Sequence, residues 1–548
     1  MKNIFTVFLV FVLAFPASAQ KLITTINTTN QIEPFSFRYN STSGTWIYAD
    51  YDTTLKKSTI ITSAGKSKEY DYDMSYNSVF DYAGNVYSYT YNTIAETTYT
   101  YYLLRNGQEI ATFDYIRDGW AIDNGILYFY AKENNRVFIA AYDTKTGTLS
   151  KGKSYEDIYL VNFPQDYYEG EPQGSIGFTK TGEPYYVAIE NNEKFLVIGN
   201  SEQKHYSDID WYMMKTDNNG ELTYLAKGAG SFYAEKGNTF VVQGLKEYKS
   251  FDYVYGPVIF DKDNNPVYTA SDSVGEYKYR TRLMTGNTEG KTYNGNIYEY
   301  KLTPSGKIAY VVSESRTVSG KSEEIYENFL VLDGKKGKKF SSISNIKFFG
   351  SDVPYFTASN SKNKYFIVRD DEIISEKYDN IYDFSLNSDG LAAYVGTNYS
   401  NYEKTDSYKN YVHIAGKKYG PYEFISMSDY TSGQYVLTDN KGNFAYVTGK
   451  LVNKDEYIYK YKVNSNRGEG TEHDAIDQIK MASGKIVYVG GTMFDKTNYR
   501  YRYILYIDNK PVAENYESIM NLEVDTKSGK VTCIGSKDKS FYLMEYKF

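Results

Sequence analysis

Seven acids recur at the same place in a repeated phrase and are the first candidates for chemistry. They are Asp114, Asp208, Asp252, Asp379, Glu423, Asp474 and Glu517. Each follows an aromatic residue, or once a histidine, by one or two positions and stands shortly before an Ile or Val, as in Tyr378-Asp379-Asn380-Ile381 and His473-Asp474-Ala475-Ile476. Carboxylates gathered round a common axis are able to divide acid–base work between them. A residue repeated once per structural unit has a simpler use: it accepts backbone hydrogen bonds where one strand gives way to the next. The regularity favours the second use, so these acids are expected to be structural.

Other chemistry-bearing residues are sparse. His205, His413 and His473 have no His or Cys neighbours at zinc-like spacing. The one cysteine, Cys533, lies in the apolar run Val531-Thr532-Cys533-Ile534 and reads as a small buried strand residue. Asp261-Lys262-Asp263-Asn264-Asn265 begins like a calcium loop with Asp272 in the twelfth place, but Pro266 stands where that loop needs Gly, so a plain turn is expected. No G-x-S-x-G elbow, P-loop or dinucleotide fingerprint is present. The expectation is therefore no catalytic residue, no metal and no cofactor. An enzyme would have to be built from the repeat alone.

The elements that position these residues are strands. The 548 residues include 63 Tyr against 29 Phe and 3 Trp, and Tyr suits the pleated, half-buried surface of a sheet. With 24% charged and 41% hydrophobic residues the chain is a folded protein. Its net charge of −7, with Lys and Arg interspersed among acids, argues against nucleic-acid binding. At the N-terminus Lys2, an apolar run over 4–15 and Ala17-Ser18-Ala19 form the pattern of a secretory signal peptide spanning 1–19. Gln20, not Cys, follows the cleavage point, so no lipoprotein anchor is expected, and no long apolar segment follows. The mature protein is expected in the periplasm or outside the cell.

The anchor phrase recurs along the whole chain. Its Ile or Val falls at Ile116, Ile158, Ile209, Val254, Ile297, Ile343, Ile381, Ile425, Ile476 and Ile519, with Ile32 and Met74 fitting the register upstream. Twelve anchors spaced by 38 to 51 residues match the length of a four-stranded blade. Within a unit, Gly turns such as Asp389-Gly390 and Ser483-Gly484 join the first strand to the second. Two-residue turns such as Asn106-Gly107, Asp333-Gly334 and Asp508-Asn509 join the third to the fourth. The last unit has room for only three strands, and the unassigned run Leu22-Ile23-Thr24-Thr25-Ile26 is suited to complete it. The expected fold is all-β: tandem β-propellers of about twelve blades, in two rings of about six covering 20–285 and 286–548. A seven-plus-five split or one large ring are the alternatives.

Units of the form Tyr-Asp-x-Ile, then Ser-x-Asp-Gly, then apolar-Tyr-Val, best seen at 378–396, 296–312 and 473–490, resemble the WD40-like repeats of TolB-type β-propellers. The composition and leader resemble those of secreted Bacteroidetes-type proteins. The resemblance covers most of the mature chain as architecture. It implies a propeller, often with a protein-binding role in the envelope, and carries over no catalytic residue.

Length varies in two places only: between the second and third strands (269–277, 313–324, 397–407, 492–498), and just after the anchor in the two 51-residue units, at 159–173 and 426–433. Both are expected on one face of the scaffold, which is how a binding surface is built on repeats. The insert Asp166-Tyr167-Tyr168-Glu169-Gly170-Glu171 is the most pointed candidate. Tyr167 and Tyr168 would anchor a protein or stack on a sugar, with Asp166, Glu169 and Glu171 around them. The function expected is a non-catalytic exported binding or scaffold module for an envelope or extracellular protein. The alternative is a carbohydrate- or peptide-binding propeller, with hydrolase or lyase activity from channel carboxylates.

Overall fold

The computed structural model describes residues 19–547 apart from 27–30, 33–35, 74–76, 162–174, 233–236, 276–277, 318–323, 401–406, 429–433, 454–457, 498, 513–514 and 526. Among the described residues the elements are strands, gathered into eleven sheets of which one has seven strands and the rest four or five. Each is an antiparallel meander. Asn380–Asn387, Gly390–Ser400, Ser407–Ile414 and Lys417–Tyr422 form one in sequence order. Successive meanders of this kind are the blades of a β-propeller, and the chain is an all-β protein of that architecture.

Sequence decides which strand lies where. The inner strands Leu222–Lys227 and Thr239–Gln243 are buried at every position. Fourth strands face water: Lys335–Phe340 and Lys417–Tyr422 are exposed along most of their length. Lysines along these outer strands keep one sheet edge from pairing with another. The turns before them adopt left-handed conformations, with φ of 51° and 79° at Asn106-Gly107 and 50° and 63° at Asp508-Asn509, as two-residue hairpins demand.

The N-terminal run completes the last blade. Ala19–Thr25 pairs with Ser540–Lys547, from Ala19 opposite Glu545 to Thr25 opposite Ser540, and the Ile26 N–H donates to the Lys539 carbonyl at 2.8 Å. Residues 1–18, where most of the leader pattern falls, lie outside the described residues.

The anchor from Tyr293 to Ile297 carries no acid and lies inside one continuous strand. A single strand, Thr288–Leu302, pairs through Asn294 with one ladder and from Gly295 onward with the next. Gly295 sits at φ 152°, and a Cβ there would stand 2.0 Å from the Ser313 carbonyl oxygen. Only Gly permits so close an approach. By compactness the chain divides into one unit of Met1–Asn27, Thr303–Ser305 and Lys338–Phe548 and another of Thr28–Leu302 and Gly306–Gly337. The Gly-rich stretch around 285–296, expected to divide two rings, therefore lies inside the larger unit, where that continuous strand joins two ladders.

Two details of the expected loops differ. The second-to-third connections are mostly projecting hairpins, as in Ile308–Thr317 paired with Glu324–Leu332 and Pro266–Gly275 paired with Lys278–Thr285. The two post-anchor inserts begin and end within a first strand. Asp157–Tyr159 and Gly177–Phe178 both pair with Pro184–Glu190, while Phe424–Ser426 and Val436–Thr438 both pair with Phe444–Asn453, so each insert interrupts a first strand at the sheet edge. First strands elsewhere shift register at the same point, between Arg117 and Ala121, Tyr255 and Ile259, and Ile381 and Phe384. A bulge already breaks the ladder there, so extra chain enters without losing further pairing.

Candidate binding face

Each anchor is a crossing between two blades. Its aromatic ends the outer strand of one blade, bridging back to the third strand as Tyr378 to Tyr365, His473 to Tyr461 and Tyr516 to Tyr503. In most blades its Ile begins the next blade opposite a small residue: Gly396 for Ile381, Gly490 for Ile476, Gly535 for Ile519, and Ala131, Ala188, Ala226 and Ala358 in four earlier blades, whereas Ile297 faces Val312 and Ile425 faces Thr448. At Gly396 a Cβ would stand 2.4 Å from the Tyr378 ring, and at Gly490 2.5 Å from the His473 ring. The small residue gives the anchor ring its seat.

The acids face the hairpin end of the following blade. Asp379 Oδ2 accepts the Tyr399 N–H at 3.0 Å, Asp474 Oδ2 that of Met493 at 2.9 Å, Glu423 Oε2 that of Leu451 at 2.8 Å and Asp252 Oδ2 that of Ser273 at 2.9 Å. Asp114 Oδ2 takes the Asn134 N–H at 2.8 Å and Asp208 Oδ2 that of Phe232 at 2.9 Å. The backbone N–H of Glu517 donates to the Ser536 carbonyl at 2.8 Å. A lysine from the preceding blade completes several crossings: Lys364 with Asp379, Lys460 with Asp474 at 2.6 Å, Lys194 with Asp208 at 2.6 Å, and Lys57 with Asp71. Burial would lift the carboxyls of Asp379 and Asp474, but the lysines and backbone donors outweigh it and hold both below their ordinary value. A carboxylate held ionised and filled with donors has no proton to give at neutral pH. The lysines, about fourteen residues before their acids, were present in the sequence as a spacing that the reading of the anchors passed over.

These bonds also show that crossings and hairpins share one end of each blade. Exposed aromatic rings collect at that end. In the larger unit they are Tyr72, Tyr99, Tyr115 and Tyr326; in the other, Tyr399, Tyr408, Phe424, Phe494 and Tyr499. Tyr212, Tyr298 and Tyr382 are exposed within their strands, and at the opposite end the exposed aromatics among the described residues are Tyr82 and Phe349. The densest group is a row across two neighbouring blades. Tyr72 stacks on Tyr91 at 5.1 Å, Tyr91 meets Tyr99 at 5.2 Å and Tyr101 at 5.1 Å, and Tyr101 meets Tyr115 at 5.0 Å.

The predicted insert residues Asp166, Tyr167, Tyr168, Glu169 and Glu171 lie outside the described residues. The ends of their segment are held on both sides. Tyr159 stacks on Trp211 of the next blade at 3.9 Å, with Lys194 Nζ 4.8 Å from the Trp211 ring centre, and the Ile176 N–H donates to Gly119 of the preceding blade at 3.3 Å. Beside this stack lies Asp210, whose carboxyl is pushed above its ordinary value by burial, against backbone donors from Met213 and Tyr212. In the second 51-residue unit Tyr435 likewise stacks on Tyr382 at 5.1 Å.

The remaining candidates are occupied locally. His205 stacks on Phe195 at 4.0 Å and meets Glu193 Oε2 at 3.0 Å. His413 lies against Tyr394 at 4.2 Å and bonds the Tyr378 hydroxyl at 2.6 Å, and burial holds its imidazole down at about 4. Asp261 accepts the N–H groups of Asp263 and Asn265 at 2.9 and 2.8 Å, a turn that Asp81-Asn85 and Asp439-Asn443 repeat in other blades. Cys533 is buried, its thiol pushed up to about 12.

No family model matches the chain, and no curated protein sequence does either. Among solved structures the chain is similar to a eukaryotic initiation factor at 9% identity, over 77% of this chain and 98% of that one, with a TM-score of 0.32. It is similar to the Dos1 propeller at 12% identity, over 60% and 91%, with a TM-score of 0.25. Similarity to TolB from Acinetobacter baumannii is also 12%, over 62% and 79%, with a TM-score of 0.17. No helix among the described residues is long and apolar enough to cross a membrane.

Proposed function

We propose that this chain is a non-catalytic, exported binding propeller that captures an envelope or extracellular partner, a protein or a glycan, on its hairpin face. The observation that carries the reading is the gathering of exposed aromatic rings at the end where crossings and hairpins meet, with few at the other. Rings of this kind bury large apolar area while keeping a polar tip for water or a partner. The anchor acids, tied to backbone and lysine, support binding over acid–base chemistry. As part of the same reading, the seven anchors from Ile32 to Ile297 and the five from Ile343 to Ile519 form separate rings, in keeping with the two compact units.

The test is a cross-linked pull-down of the mature protein from its own cell envelope. Two variants run beside it: Tyr399→Ala with Tyr408→Ala, and deletion of 162–174 between its held ends. A partner captured by the native protein and lost in either variant supports the reading and locates the surface. Capture equal in all three, or none with any, rejects it.

The second reading, a saccharide or peptide enzyme, is favoured by one site only. Asp210, next in sequence to Trp211 and near Asp208, is a carboxyl that burial holds above its ordinary value. Hydrolysis or cleavage of a glycan that stops with Asp210→Asn would move the assignment there.

A further inference from the structure

We propose that the tyrosine row Tyr72, Tyr91, Tyr99, Tyr101 and Tyr115 takes a neutral polysaccharide chain; this choice of ligand rests on the binding reading above. The rings run continuously from Tyr72 through Tyr91 and Tyr101 to Tyr115, with Tyr99 branching from Tyr91, in ring-to-ring steps of 5.0 to 5.2 Å across two blades. Tyr72, Tyr99 and Tyr115 are its water-facing members, between 37% and 45% exposed. A line of rings fits an extended polymer better than a compact epitope, whose energy concentrates in a central desolvated pocket.

Charge selects among polymers. Two carboxylates bordering the row are engaged: Asp71 pairs with Lys57 and accepts the Thr93 N–H, while Asp114 accepts that of Asn134. Burial, followed by the nearby Tyr72 and Tyr99, holds the Tyr91 phenol above its ordinary value. Among the described residues the row thus offers ring faces and hydroxyls, with the cations Lys132, opposite Tyr115 in the ladder, and Arg117 at one end only. Its complement is a ligand that alternates C–H faces with hydroxyls and carries no charge, as neutral sugars do.

The test is affinity electrophoresis of the mature protein through gels containing laminarin, galactomannan or xyloglucan, with alginate and polygalacturonate as charged controls. Two triple variants accompany it, at Tyr72, Tyr99 and Tyr115: one to Ala, one to Phe, both checked for an unchanged melting profile. The expected result is retardation by at least one neutral glycan. Affinity should fall about tenfold or more in the Ala variant and be largely kept in the Phe variant. Retardation by none of the neutral glycans, stronger retardation by the charged ones, or an unchanged Ala variant overturns the inference. Should the envelope pull-down capture a protein through these same tyrosines while no glycan retards, the inference fails and the binding reading stands. Failure of both removes both.

Discussion

Asp379 separates a structural anchor from a catalytic one. In Asp379→Ala the Tyr399 N–H loses its acceptor at 3.0 Å and Lys364 loses its partner. A hydrogen bond to a charged group contributes about 1.5–3 kcal/mol net. The ion pair, with Lys364 40% and Asp379 22% exposed, adds at most about 1 kcal/mol, and the two overlap. The expected loss is about 2–3 kcal/mol. In a unit of this size each kcal/mol moves the midpoint by about 2–4 °C, so the Lys338–Phe548 unit should melt about 4–12 °C lower in differential scanning calorimetry. Asp379→Asn keeps an oxygen for Tyr399 and should retain about half the bond's contribution. Because Asp379 fixes the backbone of Tyr399, which meets Tyr408 at 5.5 Å on the exposed face, binding should weaken only where this hairpin takes part. A midpoint within about 1 °C of native, together with loss of a glycan-cleaving activity, would refute the structural assignment.

Other perturbations have signed outcomes. The folded-state carboxyl of Asp210 lies above its unfolded value, so its ionisation opposes folding at neutral pH. Asp210→Asn should therefore raise the midpoint at pH 7, with the gain vanishing below about pH 4; a lower midpoint at pH 7 rejects this. Asp71, Asp379 and Asp474 are depressed, so their stabilisation is full above about pH 4 and lost as pH falls through their lowered values. Calorimetry between pH 7 and 2 should show the native midpoint falling more steeply in acid than that of Asp379→Asn. Gly295→Ala forces a Cβ onto the Ser313 carbonyl and should destabilise by about 1–3 kcal/mol or more, whereas Gly334→Ala, with nothing within 4 Å, meets only its backbone penalty. Equal urea midpoints for the two would contradict the close approach. Deleting 19–26 leaves Ser540–Lys547 as an open edge, and light scattering should show association that a synthetic peptide of 19–26 reverses.

The anchors made the blades legible because aromatic, acid and Ile each serve the crossing and recur whenever a crossing does. The closing strand was legible for a related reason, since the last unit lacked a strand and 22–26 had no other place. The small residue opposite most of the anchor Ile residues escaped notice because Gly and Ala inside an apolar run look like ordinary strand residues, and only the register sets Gly396 against Tyr378. Extra length read as loop proved to be hairpin in 308–332, because polar, Tyr-rich strands that leave the blade no longer alternate in the way a half-buried strand does. The aromatic row was hidden for want of a spatial neighbour: Tyr101 and Tyr115 belong to different blades, and nothing in the linear order announces their contact.

The pairing of Ala19–Thr25 with Ser540–Lys547 also sets a clock for biogenesis. Thr25 and Ser540 exchange a hydroxyl contact at 3.1 Å across 515 positions, so the earliest part of this strand to be made must wait for almost the latest. For a flexible chain, closing a loop of that size costs about 5–6 kcal/mol, and blades folded in between reduce it by bringing the ends together. Until then both strands stand open. A chain that stops short of Ser540 never covers them, so translation errors and proteolytic clipping near the C-terminus would be exposed as sticky edges for quality control to recognise.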